Sequence, residues 1–250
     1  MQTLKYLILI SVILFSLFFL FGPEVIPDNF QSQEILNVVA NSDVIIIFNS
    51  GGWGDTPVEK AEDFTPIIKG MQQTLNEWGY NSVVIPYMRT KDNFWGRVTG
   101  AKEFFNSFRN SSKDLAEEVE LLGKKFPDKK IIMAGLSSGG TFVTETYEKI
   151  SGEVKDSVYA ITVGTPFWEK PLESDNILQL DNNGKDTLSV GDVKSLLLSL
   201  IKTPFRWLFS EVSGYYLTFS EAFHAQGHDY SWSSSEVGSK IVSFLENNFR

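Results

Sequence analysis

An uninterrupted apolar run near the start of the chain is its strongest hydrophobic pattern. Residues 7–22 read LILISVILFSLFFLFG, and Lys5 is the one charged residue before Glu24. With Leu4, Lys5 and Tyr6 in front of it, this run has about the length that crosses a bilayer as a helix. We therefore expect residues 1–22 to form a single transmembrane anchor. A cleaved signal peptide is the alternative, which the length of the run and the missing A-x-A site at FGPEVIP disfavour. Lys5 precedes the run, so the positive-inside tendency predicts that the remaining chain lies outside the cytoplasm.

Beyond this run, short apolar segments alternate with segments of helical spacing. The predicted strands are 44–48, 82–86, 130–134, 158–163 and 177–180. The predicted helices are 64–78, 113–126, 141–150 and 235–248. Strands that alternate with helices pair in parallel through right-handed crossovers. The pattern predicts one α/β domain, residues 42–250, with a doubly wound and mostly parallel sheet and helices on both faces. Residues 23–41, which contain two prolines, are predicted to be a juxtamembrane linker.

Composition excludes several classes of function. The chain has 250 residues, no Cys and two His, so disulfides, thiolate nucleophiles and Cys-containing metal sites are excluded and a zinc centre is disfavoured. A net charge of −9 argues against a nucleic-acid partner, because binding phosphates requires a basic surface. We predict no metal and no organic cofactor.

The segment Gly135-Leu136-Ser137-Ser138-Gly139-Gly140 contains a G-x-S-x-G motif between a predicted buried strand and a predicted helix. This is the setting of a nucleophile elbow, in which a strained turn exposes the serine Oγ above the sheet. The alternative is a glycine-rich turn that binds phosphate at a helix N-terminus. No Walker-type or dinucleotide-binding glycine motif accompanies it, which favours Ser137 as a nucleophile.

From about Val44 to its C-terminus, the chain resembles the α/β-hydrolase superfamily in element order and motif position. In that superfamily the loop after the strand that precedes the first helix contributes to the oxyanion hole. Here that loop reads Phe48-Asn49-Ser50-Gly51-Gly52-Trp53-Gly54, with Ser50 where a His is usual. The resemblance implies that backbone N–H groups of Ser138 and Gly52 bind the oxyanion, with Trp53 as the alternative to Gly52.

A serine nucleophile requires a base, and both histidines follow Ser137. The resemblance favours His228, in a Gly-His pair ahead of the last helix, over His224. It likewise implies that the orienting acid follows the strand 177–180. Asp186, behind an Asn-Gly pair, is the preferred candidate and Asp181 is the alternative.

Other features bear on the substrate. The short segment between 163 and 177 leaves no room for a large cap domain there, which predicts an open site. Aromatic residues follow several predicted strand ends and form either a substrate wall or core packing: Trp53, Tyr87, Phe94, Trp95, Phe167 and Trp168. The apolar segment 193–209 is predicted to be an ordinary helix that covers the sheet, with a helix on the membrane surface as the alternative.

The resemblance implies a serine hydrolase, lipase-like or esterase-like, that cleaves an ester or thioester of a small-molecule or lipid-like acyl substrate, and the apolar run implies that it is anchored to a membrane. Ser137 would be the nucleophile, His228 the base and Asp186 the acid. The same residues would serve an acyltransferase. A non-catalytic binding protein that retains the fold is the alternative from a different class.

Overall fold

The computed structural model describes residues 30, 32–91, 93–192 and 225–250, and isolated positions between 194 and 213. The predicted anchor, residues 1–22, and most of the segment 193–209 lie outside the described residues. Within the part of the chain that is described, no helix is long and apolar enough to cross a bilayer.

Five parallel strands form the central sheet, in the order β2-β1-β3-β4-β5. The strands are β1 (Val44–Asn49), β2 (Ser82–Pro86), β3 (Lys130–Leu136), β4 (Val158–Val163) and β5 (Ile177–Leu180). The predicted strands and their parallel pairing are confirmed. Side chains are buried on both faces along the whole of β1 and β4, which is why these segments read as continuous apolar runs.

Helices cover both faces of the sheet. Among the described residues they are, in chain order, α1 (Gln33–Ala40), α2 (Thr65–Glu77), α3 (Phe94–Phe105), α4 (Arg109–Lys125), α5 (Ser138–Lys149), α6 (Gly152–Lys155), α7 (Thr187–Val190) and α8 (Lys240–Phe249), with a 3-10 turn at Val58–Lys60 and a π-helical turn at Ser235–Ser239. The long predicted helices correspond to α2, α4, α5 and α8. The predictions missed α3, whose sequence FWGRVTGAKEFF contains two glycines and has no continuous apolar face.

Each face of the sheet packs into its own hydrophobic cluster. Ile46 of β1 packs with residues of α2 and α8, whereas Ile45 and Ile47 pack with residues of α1, α4, α5 and α6. This alternation is the period of two that a strand imposes on its side chains. Complete burial of each isoleucine contributes roughly 1.5–3 kcal/mol to folding.

The segment predicted as a linker contributes to the second of these clusters. Val39 of α1 is fully buried there, and the ring of Phe30 packs edge-on against Tyr87 with centroids 5.6 Å apart. The described half of this segment, which begins at Phe30, therefore packs against the sheet.

The carboxyl ends of the strands bring the candidate chemistry together. The chain leaves β1 and crosses to β2 on one side, then returns to place β3 on the other side of β1, and such a switch point opens a crevice in a parallel sheet. The loops after β1, β3 and β5 contain the residues predicted for the oxyanion hole, the nucleophile and the acid. Residues 164–176 join β4 to β5 without a helix or strand, as expected for a connection with no large cap.

Candidate active site

Ser137 occupies a sharp turn between β3 and α5. Its backbone has φ 54° and ψ −119°, a conformation that residues other than glycine rarely adopt. Such strain costs on the order of 1–3 kcal/mol and persists where the surrounding structure enforces it. The N–H of Ser137 donates to the carbonyl of Val163, at the end of β4, over 2.8 Å, and its carbonyl accepts from the N–H of Thr141. The turn is therefore held from β4 and from α5, and has the form of a nucleophile elbow.

Gly139 permits the close packing that this turn requires. A Cβ atom at this position would lie 2.4 Å from the carbonyl oxygen of Asn49 and 2.5 Å from that of Ser50. The first turn of α5 therefore lies directly on the loop that follows β1. A side chain at Gly139 would separate the serine from that loop.

Asp186 lies at the N-terminus of α7 with its side chain completely buried, at 0% exposure. Its Oδ1 accepts from the N–H groups of Leu188 and Ser189. Its Oδ2 accepts from Ser189 Oγ at 2.9 Å, from Tyr230 Oη at 2.6 Å and from His228 Nδ1 at 2.7 Å. Asp181, the alternative acid, is exposed. The structure therefore brings Asp186 and His228 together, whereas His224 lies outside the described residues.

Two opposing effects act on the Asp186 carboxyl. Burial raises its pKa, but the hydrogen bonds and charge of His228, with the hydrogen bonds from Tyr230 and Ser189, outweigh burial and hold the pKa at about 2. An ionised carboxylate can only accept hydrogen bonds, so His228 must donate through Nδ1–H. In neutral His228 the lone pair is then on Nε2, the nitrogen that can accept a proton.

The imidazole of His228 lies against the end of β4. A Cβ atom on Gly164 would be 2.6 Å from His228 Cε1, the ring carbon between the two nitrogens. Gly164 follows Val163, whose carbonyl accepts from Ser137. Ser137 and the ring edge of His228 are therefore both positioned by consecutive residues at the end of one strand.

The loop after β1 lies beside the serine. A Cβ atom on Gly51 would be 3.7 Å from Ser137 Cβ, and Ser138 Oγ donates to the Gly52 carbonyl over 2.6 Å. Ser138 opens α5, and the first N–H groups of a helix have no acceptor within the helix. They also lie at its positive end. Gly52 and Ser138 are thus joined to each other next to Ser137, while the carbonyl of Trp53 accepts from Thr90 Oγ1.

Tyr230 and Arg89 were missed by the sequence predictions. Tyr230 is bonded to Asp186 and its ring is edge-on to that of His228, with centroids 5.6 Å apart. Arg89 is buried and donates to the carbonyl of Ser50 and to Ser138 Oγ. Tyr230 comes two residues after His228, and this spacing could have suggested that its hydroxyl bonds to the triad acid. Nothing in the residues around Arg89 indicates its burial.

The predicted aromatic wall is divided. Tyr87 belongs to the core, where its ring stacks on Phe142 with centroids 5.5 Å apart. Trp53, Phe167 and Trp168 are 37%, 45% and 52% exposed, and the N–H of Phe167 donates to the carbonyl of Leu188, two residues after the acid. The side chains of Phe94 and Trp95 lie outside the described ones. Among the described residues, no group of three or more His, Asp or Glu side chains could hold a metal ion.

Comparisons with known proteins find similarity in structure only. No protein-family model matches the chain, and no curated protein matches its sequence. A Trichoderma reesei cutinase in complex with a phosphonate inhibitor is 16% identical with a TM-score of 0.48, over 60% of this chain and 65% of the cutinase, less than two thirds of its length. An acetylxylan esterase is 13% identical with a TM-score of 0.46, over 83% of this chain and 99% of the esterase. A cutinase-like protein from Cryptococcus sp. is 14% identical with a TM-score of 0.35, over 50% of this chain and 54% of that protein. At these identities and scores, the chemistry of this chain has to be argued from its own side chains.

Proposed function

We propose that this chain is a serine hydrolase that cleaves a carboxylic ester or thioester through an acyl-enzyme on Ser137. The observation that carries the proposal is the 2.7 Å hydrogen bond between His228 Nδ1 and the buried Asp186. The ring of His228 lies against the end of β4, the strand that also holds the strained turn of Ser137. A hydroxyl, an imidazole and a carboxylate in these roles form the triad that activates serine nucleophiles on several unrelated folds.

Acylation begins when Ser137 Oγ attacks the acyl carbon of the substrate. The hydroxyl proton passes to His228 Nε2, and the carbonyl oxygen becomes the oxyanion of a tetrahedral intermediate. The Asp186 carboxylate stabilises the imidazolium and keeps Nδ1–H directed at Oδ2. When the intermediate collapses, the bond to the alcohol or thiol breaks and the leaving group takes the proton from His228 Nε2.

Deacylation repeats these steps with water. His228 Nε2 removes a proton from the water as its oxygen attacks the acyl carbon, and returns it to Ser137 Oγ when the carboxylic acid is released. In both steps the backbone N–H groups of Gly52 and Ser138 bind the oxyanion, where donors that are already oriented stabilise charge at no cost of reorganisation. The exposed aromatic rings of Phe167 and Trp168, near the acid loop, suit an apolar or lipid-like acyl group.

We also propose that residues 1–22 tether the enzyme to a membrane, with the catalytic domain on the extracytoplasmic side. The length of the apolar run supports the tether, and the position of Lys5 before it supports the orientation.

Labelling with a fluorophosphonate, which modifies activated serines, tests the hydrolase proposal. The wild type is expected to label once, on Ser137, and to hydrolyse p-nitrophenyl esters. Ser137→Ala should lose labelling and should lower turnover by about 10⁴-fold or more. Ser233→Ala changes an exposed serine outside the site and should retain both properties. A folded wild-type protein that neither labels nor turns over any ester or thioester would refute the proposal.

A further inference from the structure

Arg89 is a buried cation beneath the loop that follows β1. It is 4% exposed, and its guanidinium carbon lies 4.9 Å from the ring centroid of Phe108 and 5.3 Å from that of Phe142. Burial lowers the pKa of Arg89 to about 10, so the guanidinium stays protonated at neutral pH. Burial of a charge is costly unless hydrogen bonds or aromatic faces compensate it. Arg89 has both, and its Nη2 hydrogen bonds go to Ser50 and Ser138 of the candidate site.

The donors of Arg89 contact residues 50–54, which we call the oxyanion loop. Nη2 donates to the carbonyl of Ser50 over 2.7 Å, and the backbone N–H donates to the carbonyl of Gly54 over 3.0 Å. Nη2 also lies 3.3 Å from Ser138 Oγ, which in turn donates to the carbonyl of Gly52. Arg89 therefore binds both ends of the loop directly, and binds its middle through Ser138.

The composition of the oxyanion loop explains why it needs such support. Three of its five residues are glycines, which have the widest choice of backbone conformation. An oxyanion donor must nevertheless be oriented before the reaction, because a displacement of about 1 Å can cost about 10²-fold in rate. The carbonyls of Ser50, Gly52 and Gly54 are the groups that Arg89 and Ser138 bind, which leaves the N–H of Gly52 available for the oxyanion.

We propose that Arg89 is a positioning residue of the oxyanion hole. It fixes the oxyanion loop against the first turn of α5. Its positive charge, which is hydrogen-bonded to the Ser138 side chain, favours negative charge on the substrate oxygen. The proposal rests on the hydrolase function proposed above. It extends that function by adding a residue that touches neither the substrate nor the nucleophile.

Two substitutions of Arg89 separate charge from packing. Arg89→Met keeps most of the stem but removes the charge and the donors, whereas Arg89→Lys keeps the charge and part of the hydrogen bonding. Lys130→Met is a matched control: Lys130 Nζ lies 4.3 Å from the ring centroid of Phe249 and 5.7 Å from that of Tyr159, at the opposite end of β3. For each variant, kcat and KM for a p-nitrophenyl ester, the melting temperature, and amide hydrogen exchange of residues 50–54 are measured.

Arg89→Met is expected to lower kcat by about 10- to 100-fold with KM within about 3-fold, since the loss falls on the transition state. Exchange in the oxyanion loop should accelerate more than elsewhere, Arg89→Lys should recover part of both effects, and Lys130→Met should show neither. If Arg89→Met does not fold, Ser138→Ala, which breaks the contact to Gly52 and leaves Arg89 in place, should show a smaller effect of the same kind.

Wild-type kcat and wild-type loop exchange in Arg89→Met would overturn the proposal. So would losses of activity that follow the melting temperature in both Arg89 variants, with exchange raised equally throughout the domain. A wild type that does not label or turn over refutes the hydrolase function instead. In that case amide hydrogen exchange of residues 50–54 alone tests whether Arg89 fixes the loop. An exchange rate in Arg89→Met equal to that of the wild type would overturn the positioning role.

Discussion

Asp186→Asn should abolish most of the proposed hydrolase activity, because it reverses one hydrogen bond. In the native site, Oδ1 accepts two backbone N–H groups, from Leu188 and Ser189, and Oδ2 accepts from His228 Nδ1 and Tyr230 Oη. The asparagine oxygen must take the Oδ1 position, because the two backbone N–H groups there can only donate. At the other position the hydroxyls of Tyr230 and Ser189 and a neutral imidazole can all accept. Its NH₂ group then faces His228 Nδ1 and donates to it. The imidazole is forced to carry its proton on Nε2, so it cannot accept the proton of Ser137.

The size of the effect follows from the roles of the two nitrogens. Serine attack needs a lone pair on Nε2, and the variant supplies it only when the imidazole leaves its bonded tautomer. Loss of the correct tautomer in a serine triad reduces kcat by about 10⁴-fold, or roughly 5.5 kcal/mol of transition-state stabilisation. KM should change little, because the amide and the carboxylate have nearly the same shape.

Steady-state hydrolysis and the rate of fluorophosphonate labelling measure this prediction, and circular dichroism checks that the variant is folded. Asp181→Asn, at the exposed alternative acid, is the matched control and should keep wild-type kinetics. An Asp186→Asn enzyme with more than about a tenth of wild-type kcat would contradict the tautomer argument, whose expected loss is about 10⁴-fold. A large loss in Asp181→Asn alone would assign the acid to the other residue.

Three further predictions follow from the site and the apolar run. His228→Ala should reduce turnover nearly as far as removal of Ser137, because triad members act as a unit, whereas His224→Ala should keep most of the activity in the same ester assay. The pKa of Asp186 lies below its ordinary value of 3.8, so its ionised form stabilises the fold by roughly 2 kcal/mol above about pH 4. That stabilisation is lost as the pH falls from about 4 towards 2. Tyr230→Phe removes one donor to Asp186, so its free energy of unfolding should decrease less than that of the wild type over this pH range, as measured by urea titrations at each pH. Full-length protein should remain in the membrane fraction through carbonate washes and need detergent for release, and a mature N-terminus beyond residue 22 would identify a cleaved signal peptide instead.

The sheet could be predicted because its signals are local. The run VIIIF at Val44–Phe48 and the run KIIMA at Lys130–Ala134 are short, rich in isoleucine and have no alternating polar positions, which is typical of a strand covered on both sides. The strained turn at Ser137 was equally accessible, since the motif, the strand before it and the helix after it are contiguous. In contrast, α3 contains Gly96 and Gly100 and lacks the apolar spacing of three to four residues that predicts a helix.

Contacts between distant segments could not be predicted. Asp181 and Asp186 are both acidic residues of one turn-forming loop, and the preference for Asp186 came from the resemblance. Its contacts to Tyr230 and His228, more than 40 positions away, are visible only in the structure. Arg89 is harder still, because its burial depends on the ring of Phe108 in the turn before α4 and that of Phe142 in α5. Its hydrogen bonds depend on the loop after β1 and on the first turn of α5. A lone arginine after a strand is ordinarily a solvated surface residue.

The packing of Phe30 against Tyr87 sets the reach of the proposed tether. Between the end of the apolar run at Gly22 and this buried ring there are only residues 23–29. Even fully extended, those residues span no more than about 25 Å, at roughly 3.3–3.6 Å each. A domain joined to the membrane by so short a linker stays close to the membrane surface. Its substrates would have to be lipids of the same membrane or molecules that come within a thin layer above it, and their two-dimensional density, rather than their bulk concentration, would govern the rate of encounter.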